Sequence, residues 1–416
     1  MNLPPSRTAE LVLISPSGEG IGRVPRFPVE TAWWADVEPV VRGVRERHGI
    51  EVTILRLIES EHLRWPGGDV TYLAETTVPR ASIGGLTPVD ARTVDRLVAD
   101  QPLRQRWARP GGPAADIAWA DGRLAGLGLE RTGPASQVKT WNLSSLWTLP
   151  VGARRVWLKT VPPFFGHEGG ILDRLRGGRV PTLLAYADRR LLLDEIPGED
   201  RFDAAASELV RMVELLMALQ VGSIGRLDEL FELGAPDWRG PALAAAIGAT
   251  VDRDSAVLSP ADRSLLASFV GGLTARFAAI EAAGLPATLV HGDFHPGNLR
   301  GDGTSLVLLD WGDCGVGHPL LDRAAFFERV APDVAAEVSR TWHAAWRTAI
   351  PGSDPDRASR LLAPVAAARQ AVIYRGFLDH IEPDEHPYHA TDPHAWLGRT
   401  AALVRAEGRS DTILRG

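Results

Sequence analysis

The stretch from Leu289 to Asp322, LVHGDFHPGNLRGDGTSLVLLDWGDCGVGHPLLD, constrains this chain more than any other. It holds Asp293, then Asn298 five residues later, then Asp310 closing an apolar run. Residues 287–290 read as a short strand. Pro296 and Gly297 keep the chain after them in a loop, so Asn298 folds back toward Asp293. Gly301-Asp302-Gly303 is a hairpin turn signal, and Leu306 to Leu309 is a buried strand ending at Asp310. Gly312 comes next but one, where the backbone would pass close to a ligand. Such a hairpin gathers two carboxylates and an amide at one end. That is the donor set of phosphoryl transfer: one carboxylate orients the attacking hydroxyl, while an amide oxygen and a second carboxylate hold magnesium. Asp293, Asn298 and Asp310 fit those roles in that order.

HGDFHPGN, LLDWGD and HPLLD together resemble the aminoglycoside phosphotransferase and choline kinase superfamily. Its members are small-molecule kinases with a protein-kinase-like fold. The Asp-to-Asn spacing also matches the protein-kinase catalytic loop. Gly292 stands where protein kinases carry Arg, which favours the small-molecule branch. Asp322 lies where the family has an Asp soon after the metal-binding strand. It reads as a structural support of the catalytic loop or as a helix-start residue.

The resemblance implies an upstream half with a Lys on a strand and a Glu on the next helix. Of 45 Lys and Arg residues only two are Lys, Lys139 and Lys159. Lys159 ends the strand-like run Arg155 to Lys159, and its compact charge suits a slot between phosphates. Glu168 opens a helical pattern with Ile171, Leu172 and Leu175, and is the candidate partner of Lys159. Residues 137–149 read as a strand-turn-strand flap without G-x-G-x-x-G. Ser144 and Ser145 in its turn are candidates for touching phosphate, and the same stretch also reads as a plain hairpin. Lys139 fits either the cleft or the surface. Pro181 to Tyr186 reads as a turn, and Arg190 to Gly198 resembles the last small-lobe strand and hinge. There the backbones of Glu195 and Ile196 would meet the purine of ATP or GTP.

Further on, residues 204–221 and 260–283 read as helices, the latter with Ser259 as N-cap. So do 320–330, 335–348 and 357–380. Asp379 to Asp392, DHIEPDEHPYHATD, carries five acids and no Lys or Arg. Asp379, Glu382, Asp384 and Glu385 are candidates for contacting a cationic acceptor, against the plainer reading of a solvated acidic loop. His380, His386, His389 and His394 match no familiar zinc spacing. Tyr388 and Trp396 fit either stacking on substrate or packing.

Residues 8–15, 51–58 and 70–77 read as strands and 37–48 as a helix, forming a small α/β domain. Arg42 to Ile50 resembles the Nudix signature, but Gly43 and Arg47 replace two of its acids and only Glu46 remains. The expectation is therefore an α+β, two-lobed protein-kinase-like fold with an additional small α/β N-terminal domain. Residues 1–80 form that domain, 81–112 a connector with its own helix, 113–196 the small lobe and 197–416 the helical lobe. The acceptor would be aminoglycoside-like, or another amino alcohol, a sugar or a nucleoside. A nucleotide-binding sensor and a Nudix-type hydrolase are the alternatives.

The 416 residues suffice for more than one core. A net charge of −7 gives no support for nucleic-acid binding, and no apolar run looks long enough to span a bilayer. The opening residues lack a signal-peptide core, and the one Cys, Cys314, forms no internal disulfide. These features lead to the expectation of a cytoplasmic enzyme. The Arg-rich, Ala- and Gly-rich composition points to a bacterial, GC-rich genome. Oligomeric state is left open.

Overall fold

The computed structural model describes residues 6–61, 66–177, 179–302 and 305–413. The chain divides into two compact units. Unit 1 comprises residues 1–166, 183–195 and 377–391; unit 2 comprises 167–182, 196–376 and 392–416. Gly303, part of the expected turn signal, lies outside the described residues.

Unit 1 contains two sheets. The first is built from β1 (Arg7–Ile14), β2 (Gly20–Val29), β3 (Thr53–Ser60) and β4 (Gly68–Glu75), in the order β2-β1-β4-β3. β1 and β4 run parallel, and α1 (Glu38–His48) packs against β2. β2 escapes the sequence reading because Gly20, Gly22, Pro25 and Pro28 look like breakers. On an edge strand a missing N–H is tolerated, and Pro28 sits opposite Thr8 on that edge. α2 (Ala91–Val98) is capped by Asp90, whose side chain accepts the Thr93 N–H.

The second sheet has β5 (Ser136–Trp141), β6 (Ser144–Val151), β7 (Arg154–Thr160), β8 (Leu183–Ala187) and β9 (Arg190–Leu193), ordered β5-β6-β7-β9-β8. β8 replaces the turn expected at residues 181–186. α3 (Gly112–Gly126) covers one face. Its Ala120 and Leu124 join Trp147, Leu149, Val156, Leu158 and Leu192 in one core. The sequence reading missed α3 because its Gly and polar residues blur the apolar stripe.

The boundaries expected near residues 80 and 112 fall inside unit 1, where the two sheets are hydrogen-bonded to each other. Ile54 N donates to Gln137 Oε1, Gln137 Nε2 donates back to the Ile54 carbonyl, and Val37 N donates to the Val138 carbonyl.

Unit 2 is largely helical. α4 (Glu168–Arg174), α5 (Ala206–Gly222), α6 (Leu227–Glu232), α7 (Gly240–Asp254) and α8 (Pro260–Glu281) precede the segment 289–322. α9 (Arg323–Phe327), α10 (Pro332–Ala349), α11 (Pro355–His380) and α12 (Asp392–Ile413) come after it, α11 entering unit 1 at Phe377. Ser259 caps α8 through the Asp262 N–H, as its position suggests. Contrary to the sequence expectation, α8 is long and apolar enough to cross a membrane by length and composition. In this fold Leu266, Phe269, Leu273, Phe277 and Ile280 form a buried stripe on it, and it packs on α7 and α12. Short strands complete the unit: β10 (Glu199–Asp200), β11 (Asp237–Trp238), β12 (Thr288–Val290), β13 (Leu299–Gly301), β14 (Leu306–Leu308) and β15 (Gly315–Gly317). They form two three-stranded sheets, β10-β13-β14 and β11-β15-β12.

Candidate active site

The site is built on the hairpin of β13 and β14, in which Leu299 pairs with Leu308. One step beyond that pair, Leu309 N donates to the Asn298 carbonyl at 2.8 Å. Asn298 and Asp310 are thereby held at the same end of the hairpin. Asn298 Nδ2 donates to the Asp293 carbonyl at 2.9 Å and to Asp293 Oδ2 at 3.1 Å. The three residues singled out by spacing therefore meet in one local structure. Asp310 has φ +60, one of three non-glycine residues with positive φ among those described. Such backbone costs energy and gathers at functional sites. Here it ends the strand with a sharp turn, and the Trp311 N–H reaches Glu168 Oε1 at 3.3 Å.

The loop before the hairpin is held from beneath. Asp322 accepts the His291 N–H at 3.0 Å, the Gly292 N–H at 2.8 Å and Gln220 Nε2 at 3.0 Å. This is the supporting role read from its position. Burial pushes the Asp322 carboxyl up, against the opposing pull of His291 and these bonds. His291 Nε2 meets the Leu309 carbonyl at 2.8 Å, tying the β12 end to the β14 end. Gly292 has φ +93, and a Cβ there would lie 2.1 Å from the Asp313 carbonyl oxygen. No other residue fits without moving the loop. Buried Arg369, on α11, bonds the carbonyls of Gly292 and Asp313, each at 3.3 Å, and stacks on Trp238. Nothing in the local sequence signals Arg369, which lies 77 residues from Gly292.

His295 was also missed, although it stands inside the motif. Its Nδ1 accepts the Gly297 N–H, so Nε2 carries the proton, 3.4 Å from Asp293 Oδ2. Burial alone would raise the Asp293 carboxyl. The hydrogen bond from His295, with the charge of Arg329, outweighs it and brings the group down to about 2. Asp293 is thus ionised across the physiological range and keeps a solvent-facing side.

The donor set fits magnesium. Asn298 spends its amide nitrogen on Asp293, leaving Oδ1 as the atom to offer a cation, and Asp310 adds a carboxylate. Hard oxygen donors suit this ion, which takes its remaining ligands from water and nucleotide phosphates. Among the described residues no group of three or more His, Cys, Asp and Glu is placed to hold a metal by itself.

In unit 1, Lys159 lies on central β7 between Leu146 and Leu191. Strand alternation puts it on the face opposite the buried Val156 and Leu158. Lys139 pairs with Asp36 at 3.7 Å on the outer edge of β5. The flap turn is shorter than expected. Ser144 already belongs to β6 and accepts Trp141 Nε1, and buried Ser145 accepts Trp147 Nε1. Near the expected hinge, the Glu195 N–H is taken by Asp194, and the Glu195 carboxylate accepts Arg155. The Ile196 carbonyl is taken by Arg300.

The acidic run is solvated only in part. Glu382 is buried against Arg56 at 3.2 Å and Arg104 at 2.9 Å, Asp384 lies 3.9 Å from Arg96, and Glu385 is buried. Asp379 is exposed. Tyr388 is packing, edge-on to Trp34 and Trp141. On α1, the replaced Nudix positions also pack: Gly43 lies under Phe27 and the Arg47 guanidinium over it, while Glu46 is exposed.

No curated protein matches the sequence. Solved structures of low identity share the fold. The choline kinase of Cryptosporidium parvum Iowa II is 10% identical with a TM-score of 0.51, covering 73% of this chain and 98% of that one. The choline kinase LicA of Streptococcus pneumoniae is 11% identical with a TM-score of 0.51, covering 70% and 99%. The expected two-lobed, protein-kinase-like α+β class is therefore the observed one. The family model described as "Phosphotransferase enzyme family" matches residues 153–361, which include Lys159, Glu168 and the whole β13–β14 hairpin. Spanning half of the sequence, that match places the chain in the phosphotransferase enzyme family, as a small-molecule kinase.

Proposed function

We propose that this enzyme moves the γ-phosphoryl group of ATP or GTP to a hydroxyl of a small molecule, with magnesium. The observation that carries the reading is the single hairpin that sets Asp293, Asn298 and Asp310 together, with Asn298 Nδ2 3.1 Å from Asp293 Oδ2. Asp293 orients the acceptor hydroxyl and takes its proton. The hydroxyl oxygen bonds to the γ-phosphorus as the bond to the bridging oxygen breaks, and the nucleoside diphosphate leaves. A carboxylate titrating near 2 is a weak base. That suits a loose transition state, in which the proton moves late and positioning matters most. Asn298 Oδ1 and Asp310 hold the metal, which when bound neutralises phosphate charge.

On the nucleotide side, Lys159 binds phosphate, Glu168 steadies it as the resemblance implies, and the backbones of Glu195 and Ile196 meet the base. Glu168 also holds the turn after Asp310 through the Trp311 N–H. The first eighty or so residues, within unit 1, have an accessory role, and the enzyme is cytoplasmic. The choline kinases named above act on an amino alcohol; aminoglycosides, sugars and nucleosides complete the acceptor classes to be tried.

The test is to incubate the protein with Mg²⁺, ATP or GTP, and pooled hydroxyl compounds, and to look by mass spectrometry for one added phosphoryl group. A gain that Asp293→Ala abolishes supports the reading. Saturable nucleotide binding without transfer to any acceptor would favour a sensor. Turnover that survives Asp293→Ala would favour hydrolysis through the N-terminal domain.

A further inference from the structure

Of the acids expected to meet a cationic acceptor, Glu382 and Asp384 face Arg56, Arg104 and Arg96 within unit 1. Unit 2 offers something different, a cavity of about 270 Å³ between α9, α11 and α12. Two of its walls lead to the residues that flank Asp293. On α9, Phe327 lines the cavity and packs on Phe326, whose ring stacks on Phe294 at 4.9 Å. On α11, Ala366 and Ala367 line it, and two residues further on Arg369 bonds the Gly292 carbonyl. Gly292 and Phe294 are the neighbours of Asp293 in sequence.

The lining is mostly apolar, with Phe327, Leu362 and Trp396 among the larger side chains. Its charges do not suit a polycation. Glu328 and Arg399 pair at 2.6 Å and cancel. Arg323 remains. Its Nη2 donates to Ser339 Oγ at 2.8 Å, and its guanidinium lies 4.6 Å from the Phe327 ring centre and 5.5 Å from that of Trp342. Its Nη1 is buried with no hydrogen-bond partner. Burial, with no carboxylate to oppose it, draws this group down to about 10. Arg323 is thus an uncancelled charge on the wall of an otherwise apolar pocket, the kind of polar group that fixes a ligand's orientation.

We propose that this cavity receives the apolar body of the acceptor, with Arg323 donating to a carboxylate or carbonyl oxygen on it. The acceptor is then an amphipathic hydroxyl compound, not a polycation. The assignment rests on the phosphotransferase reading above and narrows it.

Four probes with hydroxyls separate the possibilities: ω-hydroxydecanoate, decanediol, aminodecanol and kanamycin. Binding to the full-length protein is measured by calorimetry, and transfer from ATP by mass spectrometry. The acid should bind about tenfold more tightly than the diol, and the two cations more weakly than either. Arg323→Met should erase the advantage of the acid over the diol. Ala363→Trp fills the cavity from its exposed rim and should weaken acid and diol alike by about tenfold or more.

Preference for aminodecanol or kanamycin would overturn the assignment, as would no binding of any probe, or acid binding unmoved by Ala363→Trp. Transfer to kanamycin that Ala363→Trp leaves intact would keep the phosphotransferase reading and reject the cavity. Binding in the stated order with no transfer to any hydroxyl compound, pooled acceptors included, would reject the phosphotransferase reading, and an acceptor role for the cavity with it.

Discussion

The Asp322 carboxylate holds the Gly292 N–H at 2.8 Å, thirty residues away in sequence and beside Asp293 in the loop. With the His291 and Gln220 bonds it fixes the backbone that carries Asp293. Bonds to a buried charged group contribute roughly 1.5–3 kcal/mol each. Asp322→Ala should therefore lower both stability and kcat, and Asp322→Asn should retain part of each. Urea unfolding alongside steady-state kinetics checks this. Loss of kcat in Asp322→Asn at unchanged stability would show a more direct role than support.

Gly292→Ala should be worse than its size suggests. The added Cβ meets the Asp313 carbonyl at 2.1 Å, and φ +93 is strained for any side chain. Holding a non-glycine residue in such backbone costs on the order of 1–3 kcal/mol, and the clash adds to it. Loss of activity with a lower melting temperature is expected; wild-type kinetics would show that the loop relaxes freely.

Glu382 bridges Arg56 and Arg104 in the interior of unit 1. Glu382→Gln leaves two buried cations without their counter-charge, and breaking such a pair costs about 3–5 kcal/mol. Unfolding measurements should show that loss. Among variants that remain folded at low temperature, the ranking of acceptors should not change. A shift in acceptor preference would restore the substrate-contact role first suggested by its sequence.

These outcomes bear on what the sequence could disclose. Asp293, Asn298 and Asp310 are legible because turn chemistry and strand length over fewer than twenty residues bring them together. The acidic segment misleads for the opposite reason. The partner of Glu382 lies 278 residues away at Arg104, and composition alone cannot tell a solvated carboxylate from a neutralised one. Arg369 reaches the catalytic loop from a distant helix and has no local signature. β2 hides behind prolines that only an edge strand allows, and α3 behind glycines that dilute its stripe. Ser145 looks available in a turn until β6 is seen to begin at Ser144.

His295 helps hold the Asp293 carboxyl down. With Asp293 held near 2, its protonation falls below the range in which the enzyme is assayed. The kcat/KM profile, which reports free-enzyme groups, should carry no inflection from this carboxylate above about pH 4. The sign for the variant is upward: His295→Gln removes the largest lowering influence while burial still raises the group. An acidic limb should then enter the profile at higher pH. An unchanged profile would mean that His295 does not set the state of Asp293.

The most direct measurement is kcat for Asp293→Asn and Asp310→Asn at saturating ATP and acceptor, with nucleotide affinity measured in parallel. A positioned acid–base group contributes about 10²–10⁴-fold, so Asp293→Asn should lose at least the lower end of that range while nucleotide still binds. Asp310→Asn should lose comparable rate and respond to added magnesium. Retention of activity within about tenfold of wild type in Asp293→Asn would contradict the assignment of this hairpin as the catalytic centre.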